Sequence, residues 1–286
     1  MSVKKLIKKA LPPAALGSIR DGIKRVRSVA QPPLSEESFT ELISTELAIG
    51  AGDTVFVHSS IDQLDLEFPF YRILKLLQHV VGPTGTLLFP TYPRLSSYDF
   101  LSRNEVFDVR KTPSYTGVLT EFARRQAGAL RSLHPTKSVC AIGPNASLLT
   151  KTHQDSPYPY DRNSPYYKLI EVGAKIIGLG VSTSNLSFVH CADDALKADF
   201  PVQPYVPQLF EARCIDREGK TVVVKTFAHD LSKMDNNIPR YMRTHISPAA
   251  CRDLRIKGRK FFIADAKSLF EAMLGHAKQG VTIYKR

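Results

Sequence analysis

Two hydrophobic rhythms alternate along most of the chain. Short apolar runs bounded by Gly, Asp or Pro predict buried strands in "DTVFVHSS" (53–60), "GPTGTLLFPTY" (82–92), "SVCAIG" (138–143) and "AKIIGLGV" (174–181). Between them, apolar residues at three- and four-residue spacing predict helices in "FYRILKLLQHVV" (70–81), "TGVLTEFARRQAG" (116–128), "SPYYKLIEVG" (164–173) and "SFVHCADDALKA" (187–198). Ser164 reads as an N-cap with Pro165 in the first turn, and Ser35 as the N-cap of an earlier helix opening on Glu36 and Glu37. Strands alternating with helices predict a layered α/β domain with a parallel or mixed sheet. Beyond residue 205 the rhythm changes. "LFEARCIDREGKTVVVKTFAH" (209–229) predicts an antiparallel hairpin around "REGK", and "DAKSLFEAMLGHAK" (265–278) a closing helix.

The N-terminal stretch is different. In "KKLIKKAL" the lysines fall on one helical arc and Leu6, Ile7, Ala10 and Leu11 on the other, before Pro12 and Pro13 stop it. Residues 1–27 carry a net charge of +7 out of +12 for the chain. Residues 1–34 therefore read as a basic amphipathic arm and linker, and 35–286 as the folded domain. The arm suits peripheral contact with an anionic membrane face, and suits equally a solvated appendage packed through its leucines. The body, at +5, is only mildly basic, which is compatible with an anionic ligand.

Composition narrows the class. With 286 residues and 43% hydrophobic positions the chain supports a full core, and no apolar run reaches the roughly 18 residues that span a bilayer. No secretory signal pattern opens the chain, so a cytoplasmic protein, at most peripheral at the inner membrane face, is expected. Cys140, Cys191, Cys214 and Cys251 form no metal-ligand spacing, and no metal is expected. The high pI comes without interleaved aromatics or a recognition motif, so nucleic acid is not expected as a partner. A homodimer is compatible with the sequence, which does not specify an oligomeric state.

Candidate chemistry gathers where strands end. "VHSS" (57–60), "GVSTSN" (180–185) and "SLHPTKS" (132–138) occupy strand-end loops, where open α/β sheets place their functional residues. In "FVHCADDA", His190 stands three residues before Asp193 and four before Asp194, on one helical face. That spacing serves a base with an orienting carboxylate, and serves a solvated surface pair as well. Taken singly, His58 and His134 read equally as hydrogen-bonded interior histidines. No G-x-S-x-G elbow exists for a serine hydrolase.

The blocks "GDTVFVHSS", "VGPTGTLLFPTY", "FDVRKTPSYTGVLTEFARR", "RSLHPTKSVCAIGPNA", "SPYYKLIEVGAKIIGLGVSTSNLSFVHCAD" and "DAKSLFEAMLGHA" follow one another in an order and spacing that resembles the aminoglycoside 3-N-acetyltransferase family, over about residues 38–280. The resemblance implies an α/β/α sandwich and transfer of acetyl from acetyl-CoA, a co-substrate, to a primary amine of a sugar. It implies His190 as general base, since an amine attacks only when neutral, with Asp193 as its orienter where the family carries glutamate. Aspartate is one methylene shorter, so the pair must sit closer or be bridged by water. Asp194 is an alternative to Asp193, and His134 a second catalytic or positioning candidate. For acetyl-CoA the resemblance implies His58, Ser59, Ser60, Lys137, Ser138 and Thr183. Lys137 replaces a histidine common in the family.

Tyr92, Arg94 and Asp194 are the acceptor-side candidates. Drug-modifying relatives often show Thr-Trp-Asp after the "PT" strand end; this chain has no tryptophan and reads "PTYPRLSSYDF". Basic balance in place of an acidic recognition loop favours an anionic amino sugar, nucleotide-activated or lipid-linked, of surface polysaccharide synthesis. The alternatives are an aminoglycoside resistance enzyme and a non-catalytic CoA-binding or membrane-associated module.

Overall fold

The computed structural model describes residues 32–285. The basic arm read in residues 1–27 lies outside them. Helices α1 (Glu36–Thr45), α2 (Arg72–Val81), α3 (Ser97–Ser102), α4 (Val118–Arg124), α5 (Ala146–Thr150), α6 (Pro165–Glu171), α7 (His190–Leu196), α8 (Ile238–His245) and α9 (Ala266–Lys278) alternate with ten strands. The strands are β1 (Thr54–Ser59), β2 (Thr86–Pro90), β3 (Phe107–Asp108), β4 (Leu130–Arg131), β5 (Val139–Ile142), β6 (Lys175–Leu179), β7 (Tyr205–Ile215), β8 (Thr221–His229), β9 (Cys251–Ile256) and β10 (Arg259–Asp265).

Seven strands form a mixed sheet in the order β4-β5-β2-β1-β6-β10-β9. Its centre is parallel: β1 pairs with β2 through Val55↔Leu87 and with β6 through Val57↔Ile177. Side chains alternate across it, because successive residues of a strand point to opposite faces. Val55, Val57, Leu87, Phe89, Ile177 and Phe261 pack on one face with Phe39 and Ile43 of α1, Leu74 and Leu77 of α2 and Leu119 of α4. Phe56, Leu88, Ile176 and Phe262 pack on the other with Tyr166 of α6, Cys191 of α7 and Leu269 of α9. That alternation makes the α/β/α sandwich. Each large apolar side chain so enclosed stabilises the fold by roughly 1.5–3 kcal/mol.

The caps agree with the sequence. Ser35 Oγ accepts from Ser38 N at 3.1 Å and Ser164 Oγ from Tyr167 N at 3.1 Å. The hairpin around "REGK" forms as expected, with Ile215↔Thr221 closing β7 on β8. It does not join the main sheet. With β3 it makes a second, three-stranded sheet. Strand β9 alternates charged residues and carries no apolar run, whereas β10 carries the short apolar run "FFIA" (261–264). They extend the main sheet antiparallel from β6, with charged Arg252, Asp253 and Arg255 on the edge strand, which blunts pairing by other chains.

Because β1, β2 and β6 are parallel, their carboxyl ends lie at one edge of the sheet. There Ser60 N donates to Leu179 O at 2.9 Å and ties the loop after β1 to the end of β6. Gly180 follows in a left-handed conformation (φ +74°), and a Cβ on it would stand 2.3 Å from Ser60 O. Only glycine admits that approach.

Candidate active site

The strand ends and the loops beyond them line a cleft of about 740 Å³. Its walls include His58 and Ser59 at the end of β1 with Ser60 after it, Tyr92 after β2, and Ser182 and Ser187 after β6. Two buried polar atoms of this wall, His58 Nε2 and Ser59 Oγ, have no hydrogen-bond partner. Buried polar atoms are matched by protein, water or ligand. A pantetheine arm, with two amides, offers the donors and acceptors these atoms lack, so the residues present fit acetyl-CoA. Burial holds His58 near 3, far below the usual imidazole range, so its ring is neutral at physiological pH. The cation on this wall is Lys260, an exposed side chain of β10 that sequence reasoning passed over.

His190 begins α7, one turn after Ser187, and is 7% exposed. Its Nδ1 lies 2.9 Å from Asp193 Oδ2, so the shorter aspartate reaches the ring directly. Tyr284, ninety-four residues away, donates its hydroxyl to the same Asp193 oxygen at 2.5 Å and stands 3.2 Å from His190 Nδ1. A carboxylate opposite Nδ1 places the imidazole N–H there and leaves the lone pair on Nε2, the arrangement a general base needs. Tyr284 was not visible in the sequence. It is brought in by the C-terminal segment, where Asn236 bridges to Tyr284.

Several sequence candidates are placed elsewhere, each for a physical reason. Asp194 does not face His190. Its fully buried carboxylate accepts from Tyr160 N at 2.7 Å and Tyr205 Oη at 2.6 Å. One residue further round the helix points it into the protein, so it neither replaces Asp193 nor meets an acceptor. Burial pushes its carboxyl up from the usual range against these two hydrogen bonds. His134 is fully buried with both nitrogens engaged: Nδ1 accepts from Lys137 N at 3.0 Å, and Nε2 lies 3.2 Å from Thr226 Oγ1. Its ring stacks on His153 at 4.4 Å. It organises the loop and has no nitrogen left for catalysis.

Ser138 is also interior. Its hydroxyl donates to Thr91 O at 2.7 Å and accepts from Arg131 Nε at 3.1 Å. Thr183 donates its hydroxyl to Asp253 Oδ2 at 2.8 Å and its N–H to Oδ1 at 2.8 Å, clamping the loop after β6 to the edge strand. Neither hydroxyl is available to CoA. Lys137 lies off the cleft wall, its Nζ 5.0 Å from the centre of the Tyr92 ring, and burial lowers its ammonium to about 8. It is therefore poorly placed for a CoA phosphate. Tyr92 faces the cleft and meets Tyr166 Oη through its hydroxyl at 2.5 Å. Arg94 is exposed, 6.0 Å over the ring of Tyr115 at the cleft wall.

Known proteins share this fold. The aminoglycoside 3-N-acetyltransferase family model matches residues 56–276. The chain is similar to aminoglycoside N(3)-acetyltransferase VII of Streptomyces paromomycinus, 31% identical over 80% of this chain and 84% of that protein. Among solved structures it resembles aminoglycoside acetyltransferase AAC(3)-Xa, with a TM-score of 0.75 at 20% identity over 93% of this chain and 99% of the other. It also resembles AAC-IIIb in its binary complex with CoASH, with a TM-score of 0.71 at 21% identity over 88% of this chain and 99% of the other. The chain belongs to the aminoglycoside 3-N-acetyltransferase family and is an acetyl-CoA-dependent acyltransferase.

Proposed function

We propose that the protein transfers acetyl from acetyl-CoA to a primary amine of an aminoglycoside, with His190 as general base and Asp193 and Tyr284 holding it. The observation that carries this reading is the Asp193–His190 contact of 2.9 Å on the helix that begins one turn after Ser187 of the cleft wall. In the reaction His190 Nε2 takes a proton from the acceptor ammonium. The neutral nitrogen attacks the thioester carbonyl and the C–S bond breaks; the His190 imidazolium returns its proton to the departing sulfur, so that CoA leaves as the thiol, and the new amide nitrogen gives up its extra proton to solvent. Asp193 stabilises the imidazolium formed in the first step.

The named relatives favour an aminoglycoside over the polysaccharide amino sugar that charge balance suggested. A second reading keeps that charged sugar as acceptor. It is favoured by Arg94, exposed over the ring of Tyr115 at the cleft wall.

Thiol release from acetyl-CoA, followed with DTNB, tests the proposal against kanamycin, gentamicin, glucosamine and nucleotide-activated amino sugars. Turnover of the antibiotics, reduced about 10²- to 10⁴-fold in kcat by His190→Ala, is the expected result. Turnover of the charged sugars alone would select the second reading. Full activity of His190→Ala would remove His190 as the base.

A further inference from the structure

The mechanism above gives no role to His229, a buried, polar side chain beside His190. His229 ends β8, is 3% exposed, and has no hydrogen-bond partner at either ring nitrogen. Its backbone is fixed: His229 N donates to Ser97 Oγ at 3.0 Å, and the residue pairs with Tyr205 across the small sheet. The ring is therefore held in place while its polar atoms are left unmatched. Its centroid lies 5.2 Å from that of His190, 4.8 Å from Tyr205 and 5.9 Å from Tyr160.

A neutral imidazole has one N–H and one lone pair. Burying both without partners costs more than placing an apolar ring there. Burial, with the Lys137 ammonium nearby, keeps the ring below the usual imidazole range, so it offers both a donor and an acceptor at neutral pH. The complementary partner is a group that both accepts and donates, such as a sugar hydroxyl, and the adjacent functional atom is the His190 ring that receives the amine's proton.

We propose that His229 is an acceptor-binding residue, which hydrogen-bonds a hydroxyl of a polyhydroxylated amine and so orients the neighbouring amine toward His190. The assignment rests on the acetyltransferase reading above and holds for an aminoglycoside or a charged amino sugar alike. It also gives the second sheet a part in the site, since β8 delivers His229 from outside the main sandwich.

The test uses the full-length protein with His229→Phe, which keeps ring volume and removes both polar atoms, and His229→Asn, which retains a donor and an acceptor. Thiol release is measured with kanamycin and with glucosamine, varying acceptor and acetyl-CoA separately. The expected result is an acceptor KM about tenfold higher in His229→Phe, partial recovery in His229→Asn, and an acetyl-CoA KM that stays put; tenfold corresponds to one lost hydrogen bond of about 1.4 kcal/mol. If His229→Phe does not fold, the acceptor KM of His229→Asn against wild type carries the test. Wild-type turnover with an unaltered acceptor KM in the folded variants overturns this inference and leaves the acetyltransferase reading standing. Wild-type silence with every amine overturns that reading and the acceptor role together. Equal changes in both KM values overturn the assignment in favour of a structural role.

Discussion

At the scale of single residues, Tyr284 decides how firmly the base is held. Asp193 Oδ2 receives two donors, His190 Nδ1 and the Tyr284 hydroxyl, while its Oδ1 has no partner. Removing the tyrosine donor leaves a buried carboxylate with fewer hydrogen bonds and a freer imidazole. Hydrogen bonds to charged groups are worth about 1.5–3 kcal/mol. Tyr284→Phe is therefore expected to lower kcat about tenfold or more while leaving the acetyl-CoA KM near its wild-type value. Steady-state kinetics in both substrates checks this, and an unchanged kcat would show that Asp193 alone suffices. The contrast with the sequence reading is local against distant. The His190–Asp193 pair was legible because three-residue spacing on a helix fixes proximity. The same spacing argument tolerates four residues, so it admits Asp194 as well, and cannot see Tyr160 and Tyr205 donating to that carboxylate. Tyr284, His229 and the enclosure of His134 depend on chain segments far apart in sequence, and no local pattern encodes them.

Among elements, the junction of β1 and β6 shapes the cleft. Gly180 passes so close to Ser60 O that a Cβ would overlap it, and its φ of +74° is unfavourable for other residues by about 1–2 kcal/mol. Gly180→Ala thus combines backbone strain with a displaced Ser60, one of the cleft-wall residues. The expectation is a loss of about 2 kcal/mol or more, a fall of roughly 3 °C or more in melting temperature, and a raised acetyl-CoA KM. A melting curve superimposable on wild type would refute the close-approach argument. The strands and helices of the sandwich were legible because each buries one face and so keeps its hydrophobic period. The edge strand β9 was not, because "CRDLRIKG" alternates charges as an exposed edge does and has no apolar run. The "REGK" hairpin was readable as a hairpin, but its assignment to a second sheet depends on pairing with β3 at Phe107↔Cys214, a contact more than a hundred residues apart.

For the whole molecule, the interior histidines tie stability to pH. Burial holds His58 and His153 near 3, and it moves His134 and His229 in the same direction. In the unfolded chain each titrates near 6.5. Between about pH 6.5 and 3 the unfolded chain therefore binds protons at His58 and His153 that the folded protein excludes. Stability from these groups is fully present above pH 6.5 and is lost as pH falls, by about 1.4 kcal/mol per pH unit for each histidine well inside the window. His58 isolates the effect, because its Nε2 has no partner and its ring lies edge-on to Phe56, 4.8 Å away, with Phe262 at 5.9 Å. Phenylalanine fits that apolar setting and cannot bind a proton. His58→Phe is expected to match or exceed wild-type stability at pH 5 and to show a shallower decline between pH 6 and 4, by about 1.4 kcal/mol per unit. Urea unfolding at pH 7.5, 6, 5 and 4 measures both slopes. Parallel slopes would mean that His58 gains its proton in the folded protein as readily as in the unfolded chain, and that the imidazole on the cleft wall is not the neutral group its burial requires.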